Sequence, residues 1–436
     1  MGWREEYQIK LTTAENVAMA FQSGDHIGVG GGTGIPPAIV DAIGRRAGEI
    51  TDVKFGQGFA VGLHEYMKPE HKSHFRIETI FMGPAERMCL QWGTCDFVPN
   101  HLGSMIKWAT DFGVKKVAMV VSPPDENGFM NRSLFAGLVP KQILQNSEYI
   151  AVEVNKNTPW LYSDDDIFNI HVSEVDAIVE NHAPLFEIPE IPITDVEKQI
   201  AGHIADMIPN GSTVQLGLGG LANCIGHFLK DKKDLGIHSE VVSNSIMELY
   251  KCGAVNGSKK TLLPGKVVYT FAVGTHELHQ FLHRNPDFIA FEIEKTNNPY
   301  FIAENNDIIS INNALMVDLT GQIASESIGP SQFSATGGQV NFVLGSQMAK
   351  NGKSIIALPS TRTDRDGKRH SRILDMLPMG TIVTTSRNDV EWIVTEFGAV
   401  RLTNMSISLR VKALIGISHP DFRDELEFKA RQQNWI

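Results

Sequence analysis

The chain has 436 residues, of which 42% are hydrophobic and 20% are charged, and its formal net charge is −11. This composition is typical of a soluble globular protein, and the length exceeds what one hydrophobic core usually reaches, so we expect two domains. The acidic balance disfavours a nucleic-acid partner. No apolar run approaches the roughly 18 residues of a membrane span, so we expect no membrane partner.

The four cysteines indicate neither a metal site nor a disulfide framework. Cys89, Cys95, Cys224 and Cys252 include no C-x-x-C pair and no matching histidine spacing. Unpaired cysteines and a polar N-terminus, M-G-W-R-E-E, favour the reducing cytoplasm. We therefore expect a cytoplasmic protein with no metal.

The first half of the chain opens with an amphipathic helix and a glycine-rich stretch. Thr12 or Thr13 is a suitable cap for a helix over residues 11–22. The run G-V-G-G-G-T-G at 28–34 follows a short strand and precedes an apolar helix. Further strands are predicted at 53–55, 79–82, 116–121 and 149–154.

A proline-rich segment separates the two halves. Residues 183–195 carry three prolines in thirteen positions, and proline blocks both helices and central strands. The sequence therefore predicts an N-terminal α/β domain over 1–182, a linker over 183–195 and a C-terminal α/β domain over 196–436.

The second half repeats the plan of the first. After a helix that ends near Met207, residues 214–216 form a predicted strand, 217–220 a glycine turn and 221–229 an apolar helix. Shifted by 187 positions, Ser23-Gly24 aligns with Asn210-Gly211, and Gly30 with Gly217. The two halves thus indicate an internal duplication.

The glycine turn of the second half is a predicted anion-binding corner. The N–H groups of the turn and of the first helical turn lack partners inside the helix, whose dipole is positive at this end. A second strand is predicted over 237–243, so Glu240 would lie beside the corner, where ligands of parallel sheets gather. A solvated or hydrogen-bonded surface glutamate is the alternative interpretation of Glu240.

Later elements complete an α/β pattern. They are strands at 266–271, 308–312, 314–319, 354–358, 382–385 and 392–394, and helices at 275–283 and 422–432.

Three motifs together resemble a known family. The glycine turn, the step I-H-S-E with Glu240, and S-A-T-G-G-Q-V-N-F are similar to the acetyl-CoA hydrolase/transferase group of family I CoA-transferases, in particular those for 4-hydroxybutyrate and butyrate. The similarity runs from about Leu11 to about Leu426. It implies two tandem, internally duplicated α/β domains with mainly parallel sheets, and Glu240 as the covalent nucleophile of a ping-pong reaction through a glutamyl-CoA thioester.

The resemblance also implies substrates and assembly. An acyl-CoA and a short-chain carboxylic acid, of the acetate, butyrate or 4-hydroxybutyrate type, are the expected substrates, with no tightly bound cofactor. A homodimer or a higher homo-oligomer is expected. An acyl-CoA hydrolase on the same scaffold is the first alternative. A nucleotide-binding or dehydrogenase protein that uses the first glycine stretch is the second, although only Glu49 stands near the position of the required acidic partner.

Two glycine groups are candidate ligand contacts. Gly217, Gly219 and Gly220 would stabilise the carboxylate and later the oxyanion, unless the turn serves only helix–strand packing. By resemblance, Gly337, Gly338 and Gln339 form a second CoA-contacting loop, although G-G-Q is common in turns.

The densest positive cluster of this acidic chain is a candidate contact for CoA phosphates, or else a solvated loop. It comprises Arg362, Arg365, Lys368, Arg369 and Arg372.

The histidines His26, His64, His238 and His276 form no triad with a serine elbow, since G-x-S-x-G is absent from the sequence, and structural roles are favoured. His238 would share the strand face of Glu240 and modulate its pocket.

Two stretches depart from the family pattern. Residues 127–132 read N-G-F-M-N-R where relatives have H-G-[YF]-S-L-G, and residues 243–245 read S-N-S in place of S-D-G. The first departure leaves the identity of the acid open.

Overall fold

The computed structural model describes residues 2–188 and 192–436 and divides them into two compact units. The first unit contains the residues up to 188 together with Val268–Thr296, and the second contains 192–267 together with Asn297–Ile436. The predicted linker 183–195 includes this division, although its residues 189–191 lie outside the described residues.

One segment departs from the predicted succession of two domains, because Val268–Thr296 packs with the first unit. Within that unit, Arg284 N donates to the carbonyl of Trp160 over 2.8 Å, and Ala290 N donates to the carbonyl of Tyr162 over 2.9 Å. These contacts join positions that are distant in the sequence, so no local sequence pattern predicts them.

A seven-stranded parallel sheet forms the centre of the first unit. Its strands lie in the order Cys95–Phe97, Phe75–Thr79, Val53–Gln57, His26–Val29, Lys116–Val121, Tyr149–Val154 and Ala177–Glu180. Apolar cores lie on both faces, one with Ile27 and Phe55 and the other with Val117 and Val152. A parallel sheet covered on both faces explains why its strands are almost continuously apolar.

The helices of the first unit are Trp3–Lys10, Ala14–Ala18, Pro37–Gly44, Pro84–Trp92, Met105–Phe112, Lys141–Gln145, His276–Leu282 and Ile293–Thr296. Its shorter strands include the antiparallel pair Phe129–Asn131 and Asn169–His171. Three further short strands lie at or after the sequence division at residues 267 and 268. They are Val267–Tyr269, Phe271–Ala272 and Phe288–Ala290.

The second unit is built on a six-stranded sheet. The strands lie in the order Gly236–Ile237, Thr213–Leu216, Ile308–Asn313, Lys353–Ala357, Trp392–Thr395 and Gly398–Arg401. Only the last pairing is antiparallel. The helices are Asp195–Asp206, Gly220–Phe228, Asn244–Lys251, Pro299–Ala303, Gln339–Met348, Ile407–Gly416 and Pro420–Gln432.

Short strands complete the second unit. They are Val241–Val242, Met316–Asp318, Ile323–Ala324, Ser327–Ile328, Ser331–Gln332, Thr361–Thr363, Arg369–Ser371 and Ile373–Leu374.

The predicted duplicated α/β fold is confirmed by the positions of the two glycine-following strands. His26–Val29 pairs in parallel with a strand on each side, and so does Thr213–Leu216. Each strand leads through glycines to a helix, Pro37–Gly44 in the first unit and Gly220–Phe228 in the second.

Several predicted elements differ in their bounds. The strand expected at 237–243 is two short strands, Gly236–Ile237 and Val241–Val242, with Glu240 in the bend between them. The helix expected at 11–22 is only Ala14–Ala18, and the strand expected at 79–82 ends at Thr79. Residues 382–385 form no strand beyond one isolated bridge at Thr385.

Candidate active site

The glycine corner of the second unit, Gly217–Gly220, is open on the side where a ligand would approach. A Cβ placed on Gly217 or Gly219 would meet no atom within 4 Å, and Gly219 has a φ of +109° that side chains rarely adopt. Gly220 has a packing reason instead, since a Cβ there would lie 2.7 Å from Oε1 of Glu197. Gly217 and Gly219 therefore leave backbone N–H groups accessible at the start of the following helix.

The equivalent corner of the first unit is filled by an aromatic ring. A Cβ on Gly32 would lie 2.2 Å from Cζ of Phe135, and Gly32 itself has a φ of +51°. Phe135 therefore covers Gly32 of the first corner, whereas no atom among the described residues covers Gly217 or Gly219 of the second. Glu49, the acidic partner that the nucleotide-binding alternative requires, lies in a turn and not at a strand end.

Ser239, the residue before Glu240, makes a hydrogen bond to the residue that precedes the open glycine corner. Ser239 is completely buried, and its Oγ donates over 2.8 Å to the carbonyl of Leu216, the last residue before the glycines. This bond holds the bend that carries Glu240 at the carboxyl end of the strand Thr213–Leu216.

The carboxylate of Glu240 has a perturbed environment. Burial raises the pKa of Glu240 to about 7, and a hydrogen bond from Asn297 opposes this shift. Nδ2 of Asn297 donates to Oε2 of Glu240 over 2.7 Å, and Asn297 is fully buried. Glu240 itself is half-buried, and a carboxylate that is partly desolvated but still ionisable near neutral pH is suited to act as a nucleophile.

Sequence reasoning missed Asn297. The run Asn297-Asn298-Pro299 signals a helix start, since Asn298 caps the helix Pro299–Ala303 through a 2.9 Å bond from Tyr300 N. The signal locates a polar turn but gives no indication that its first amide reaches a carboxylate 57 positions earlier.

Gly338 lies directly against Glu240. A Cβ on Gly338 would be 2.0 Å from Oε2 of Glu240 and 2.4 Å from Nδ2 of Asn297, so no larger residue fits. Gly338 precedes the ten-residue helix Gln339–Met348, and Gly337 before it has a φ of +56°. The carboxylate thus lies at the positive end of a helix, where negative charge is stabilised.

The Gly337–Gly338 loop is held by buried polar contacts. Glu326 accepts a 2.9 Å bond from Oγ1 of Thr336, and its backbone carbonyl accepts from Phe333 N and Ser334 N. Gln339 is buried, and its Nε2 donates to Thr385 over 3.0 Å. The side chain of Gln339 therefore braces the helix start.

The histidines make local contacts in their own units. His238 is fully buried, with Nδ1 at 2.9 Å from Nδ2 of Asn305. In the first unit, His26 contacts the carbonyl of Phe112, and His64 lies 3.4 Å from Asp41. His276 contacts Gln280 at 2.8 Å.

The positive cluster forms a hairpin beside a cavity of about 550 Å³. Arg362, Lys368, Arg369 and Arg372 line this cavity. Arg365 is exposed at the turn of the hairpin and is not among the lining residues.

The two departures from the family pattern have structural roles. Arg132 is buried, and its guanidinium donates to backbone carbonyls, including that of Ile167 at 2.7 Å. Burial lowers the pKa of Arg132 to about 10. Ser243 and Ser245 share a 2.9 Å hydrogen bond between their hydroxyls.

The described residues contain neither a metal-binding cluster nor a helix that could span a membrane. Residues 2–188 and 192–436 include no group of His, Cys, Asp and Glu side chains that is arranged to hold a metal ion. No helix in the described part of the chain is long and apolar enough to cross a membrane.

Comparisons with known proteins identify the family of this chain. The family model of the acetyl-CoA hydrolase/transferase N-terminal domain matches residues 1–188, and that of the C-terminal domain matches 274–430. The 4-hydroxybutyrate coenzyme A transferase of Clostridium kluyveri is 39% identical over 99% of this chain and 100% of its own. The butyryl-CoA:acetate CoA-transferase of Anaerostipes caccae is 36% identical, over 98% of this chain and 97% of its own.

A solved structure has the same fold. RipA from Yersinia pestis superposes with a TM-score of 0.93 at 34% identity, and each chain is covered completely. The 39% sequence identity to a curated relative over 99% of this chain and the two matching domain models show that this chain belongs to the acetyl-CoA hydrolase/transferase family.

Proposed function

We propose that this protein is a CoA-transferase that moves CoA between a short-chain acyl-CoA and a carboxylic acid through a thioester on Glu240. The observation that carries the proposal is the half-buried carboxylate of Glu240, which accepts a hydrogen bond from Asn297 and lies directly against Gly338. The full-length relatives named for 4-hydroxybutyrate and butyryl-CoA transfer support the same reaction class.

The reaction proceeds by two exchanges at one carboxyl group. An ionised oxygen of Glu240 attacks the thioester carbonyl and forms a carbon–oxygen bond. The carbon–sulfur bond then breaks, so that CoA leaves as the thiolate and a mixed anhydride of Glu240 and the acyl group remains. The thiolate then attacks Cδ of Glu240 and expels the first acid as its carboxylate, which leaves glutamyl-CoA. The acceptor carboxylate reverses both steps, so each step is a covalent exchange of lower barrier than direct transfer.

The surrounding backbone fits the charge that develops in these steps. Each attack on a carbonyl creates an oxyanion, and N–H groups at a helix start stabilise such an anion most where water is excluded. Gly338 places the start of Gln339–Met348 beside Oε2 of Glu240, and Gly217 and Gly219 leave a second set of N–H groups open. We assign the oxyanion roles to these two backbone segments.

The experiment that tests this function is trapping of the intermediate. The protein is incubated with acetyl-CoA or butyryl-CoA, reduced with borohydride and digested for peptide mapping. We expect reduction of Glu240 to the alcohol and no reduction in a Glu240→Gln variant. A wild-type protein that transfers CoA without modification at Glu240 would refute the mechanism.

A hydrolase is the second candidate, because the matching family models cover both activities. Water would then replace the acceptor acid. Release of free CoA thiol is measured with and without added acetate, butyrate or 4-hydroxybutyrate. A transferase forms the new acyl-CoA only when an acceptor is present, whereas a hydrolase releases thiol at the same rate without one.

We also propose a cytoplasmic, homo-oligomeric protein without a tightly bound cofactor. Unpaired cysteines, three of them buried, suit a reducing compartment. Light scattering coupled to size-exclusion chromatography measures the assembly, and a monomer at micromolar concentration would contradict it.

A further inference from the structure

A small cavity in the first unit is lined by two buried polar side chains whose hydrogen-bonding capacity is not used. Arg132 is 3% exposed and Thr158 is 6% exposed, and we call the space that both of them line the Arg132 cavity. Among the described residues, neither Nε of Arg132 nor Oγ1 of Thr158 has a hydrogen-bond partner. A buried donor without a partner is destabilising, most of all when it is charged. Two such donors at one cavity therefore indicate a bound group that accepts hydrogen bonds from both.

Hydrogen bonds hold the two side chains next to each other. Oγ of Ser133 donates over 2.6 Å to the carbonyl of Pro159, which joins the residues that directly follow Arg132 and Thr158. Ser133 has a φ of +60°, and its N–H donates over 3.0 Å to Oδ1 of Asn131. A serine adopts this backbone conformation only where the surrounding contacts impose it. The backbone around the Arg132 cavity is therefore preformed.

The positive charge of Arg132 is not neutralised by a direct contact. Its Nη1 donates to the carbonyl of Val139, and its Nη2 donates over 2.7 Å to that of Ile167. Burial lowers the pKa of Arg132 to about 10, and the carboxylates of Glu292 and Glu174 oppose this shift only through space. A buried cation without a contacting anion is unfavourable, and a neutral water molecule would not correct this. The charge therefore favours an anion as the bound group.

The size of the Arg132 cavity limits which anion fits. The centre of a water-sized sphere can occupy about 10 Å³ of this space, which corresponds to room for a single such sphere. A chloride or bromide ion is one atom only slightly larger than a water molecule. Carboxylates, sulfate and phosphate contain several heavy atoms and are too large. The guanidinium Nε–H and the threonine hydroxyl can both donate to a halide.

The Arg132 cavity also has a route of entry. The half-buried Thr33 and Leu185 line it, and both of them line an adjoining cavity of about 160 Å³ as well. The exposed Phe186 lies at that second cavity. On the other side, Phe135 lines the Arg132 cavity, and its ring is the one that covers Gly32. An ion at this place would contact both the first glycine turn and the segment that carries Phe135.

We propose that the Arg132 cavity binds a single halide ion, chloride under ordinary conditions, through Nε of Arg132 and Oγ1 of Thr158. The ion neutralises Arg132 and stabilises the packing of Phe135 on the first glycine turn. It takes no part in the reaction proposed for Glu240, so the two proposals stand or fall separately.

Thermal unfolding of the full-length protein tests the site. The Tm is measured in sodium chloride, sodium bromide and sodium gluconate at equal ionic strength, since gluconate is too large for the cavity. A ligand that binds only the folded state raises the Tm, and we expect values about 2 to 4 °C higher in chloride or bromide than in gluconate. Equal Tm values in the three salts would overturn the inference.

Substitutions at Thr158 separate a bound ion from a general salt effect. Thr158→Val removes the hydroxyl at nearly the same volume and should abolish the halide-dependent rise in Tm, whereas Thr158→Ser keeps the hydroxyl and should retain it. Thr270→Val is the matched control, because Thr270 is a fully buried threonine of the same unit whose Oγ1 also has no partner among the described residues. Thr270 does not line the cavity, so this variant should keep the full rise. A rise that persists in Thr158→Val would contradict the proposed contact.

Bromide provides a direct readout in the crystal. Crystals of the full-length protein are soaked in sodium bromide, and anomalous scattering at the bromine absorption edge locates the ion. We expect an anomalous peak within hydrogen-bonding distance of Nε of Arg132 and Oγ1 of Thr158 in the wild type, and a weaker peak or none in Thr158→Val. An ordered water molecule without anomalous signal at this position in the wild type would refute the halide site.

Discussion

Asn297 donates a hydrogen bond of 2.7 Å from Nδ2 to Oε2 of Glu240. Within the described residues, no second side chain donates to this carboxylate. The bond favours the ionised form, while burial favours the protonated form and raises the pKa of Glu240 to about 7. Asn297 therefore increases the ionised fraction of Glu240, the proposed nucleophile, at neutral pH.

Replacement of Asn297 should move the pH profile of the reaction. Since Glu240 attacks only when it is ionised, kcat/KM should rise with pH through a midpoint near 7 in the wild type. Asn297→Leu removes the donor and leaves burial unopposed, so the midpoint should move about 1 to 2 units higher. Initial rates between pH 5 and 9 measure it.

Asn298→Ser is the matched control for this change. The serine hydroxyl can cap Pro299–Ala303 in place of the Asn298 amide, and the neighbouring contact to Glu240 is untouched. Its midpoint should equal that of the wild type. An unshifted midpoint in Asn297→Leu would show that Asn297 does not govern the ionisation of the nucleophile.

Gly338→Ala should displace the nucleophile without straining the backbone. Gly338 has a φ of −95°, which alanine adopts, but the added Cβ would lie 2.0 Å from Oε2 of Glu240. A misplacement of about 1 Å can cost on the order of 100-fold in rate, so kcat should fall by at least that factor. Gly416→Ala is the control, since its Cβ meets no atom within 4 Å and its kcat should be unchanged. Equal kcat values for the two variants would contradict the prediction.

The sequence predicted the glycine corner and Glu240 because their signals are local. A strand, a glycine turn and a helix follow one another over sixteen residues at 214–229, and the same order at 27–44 makes the duplication recognisable. The fold class follows from such alternation. The bend at Glu240 was not predicted, because residues 237–243 were interpreted as one strand, and the Ser239–Leu216 bond that accompanies the interruption joins positions 23 residues apart.

The remainder of the site depends on contacts between distant positions. Asn297 and Gly338 contact Glu240 across 57 and 98 positions of the sequence, and neither carries a local sign of this contact. Similarly, Phe135 fills the first corner from a segment more than one hundred residues after Gly32. The duplication therefore predicted two glycine corners, and only tertiary packing distinguishes the open one from the filled one.

The hydrogen bond between Thr336 and Glu326 should hold the Gly337–Gly338 loop in position. Its Oγ1 donates to Oε2 of Glu326 over 2.9 Å, and Glu326 is buried. Thr336→Val removes the hydroxyl and leaves a buried carboxylate without this donor, so we expect kcat to fall about tenfold or more at unchanged KM for the acceptor acid. Thr336→Ser keeps the hydroxyl and should restore kcat. Equal losses in the two variants would indicate a packing role for the methyl group alone.

Glu153 makes the stability of the first unit depend on pH. It is 1% exposed, and its Oε2 accepts bonds from Ala38 N at 2.9 Å and from Ile39 N at 3.2 Å. Burial raises the pKa of Glu153 from 4.5 to about 7, although these bonds and one from Asn181 oppose the shift. The folded state then binds more protons than the unfolded chain between these two values. The free energy of unfolding should therefore fall as pH rises through this window and level off above it.

Glu153→Gln should remove this contribution. The shift corresponds to about 3 kcal/mol between pH 4.5 and pH 8 in the wild type. Urea unfolding at pH 5 and pH 8 should show a smaller difference in the variant, while Glu240 and Glu294, whose pKa values burial also raises to about 7, contribute equally to both proteins. Glu5→Gln, at an exposed position of the first helix, controls for the lost charge. If Glu153→Gln keeps the full pH difference of the wild type, Glu153 is ionised in the folded protein throughout this range, and its bonds to the helix Pro37–Gly44 outweigh its burial.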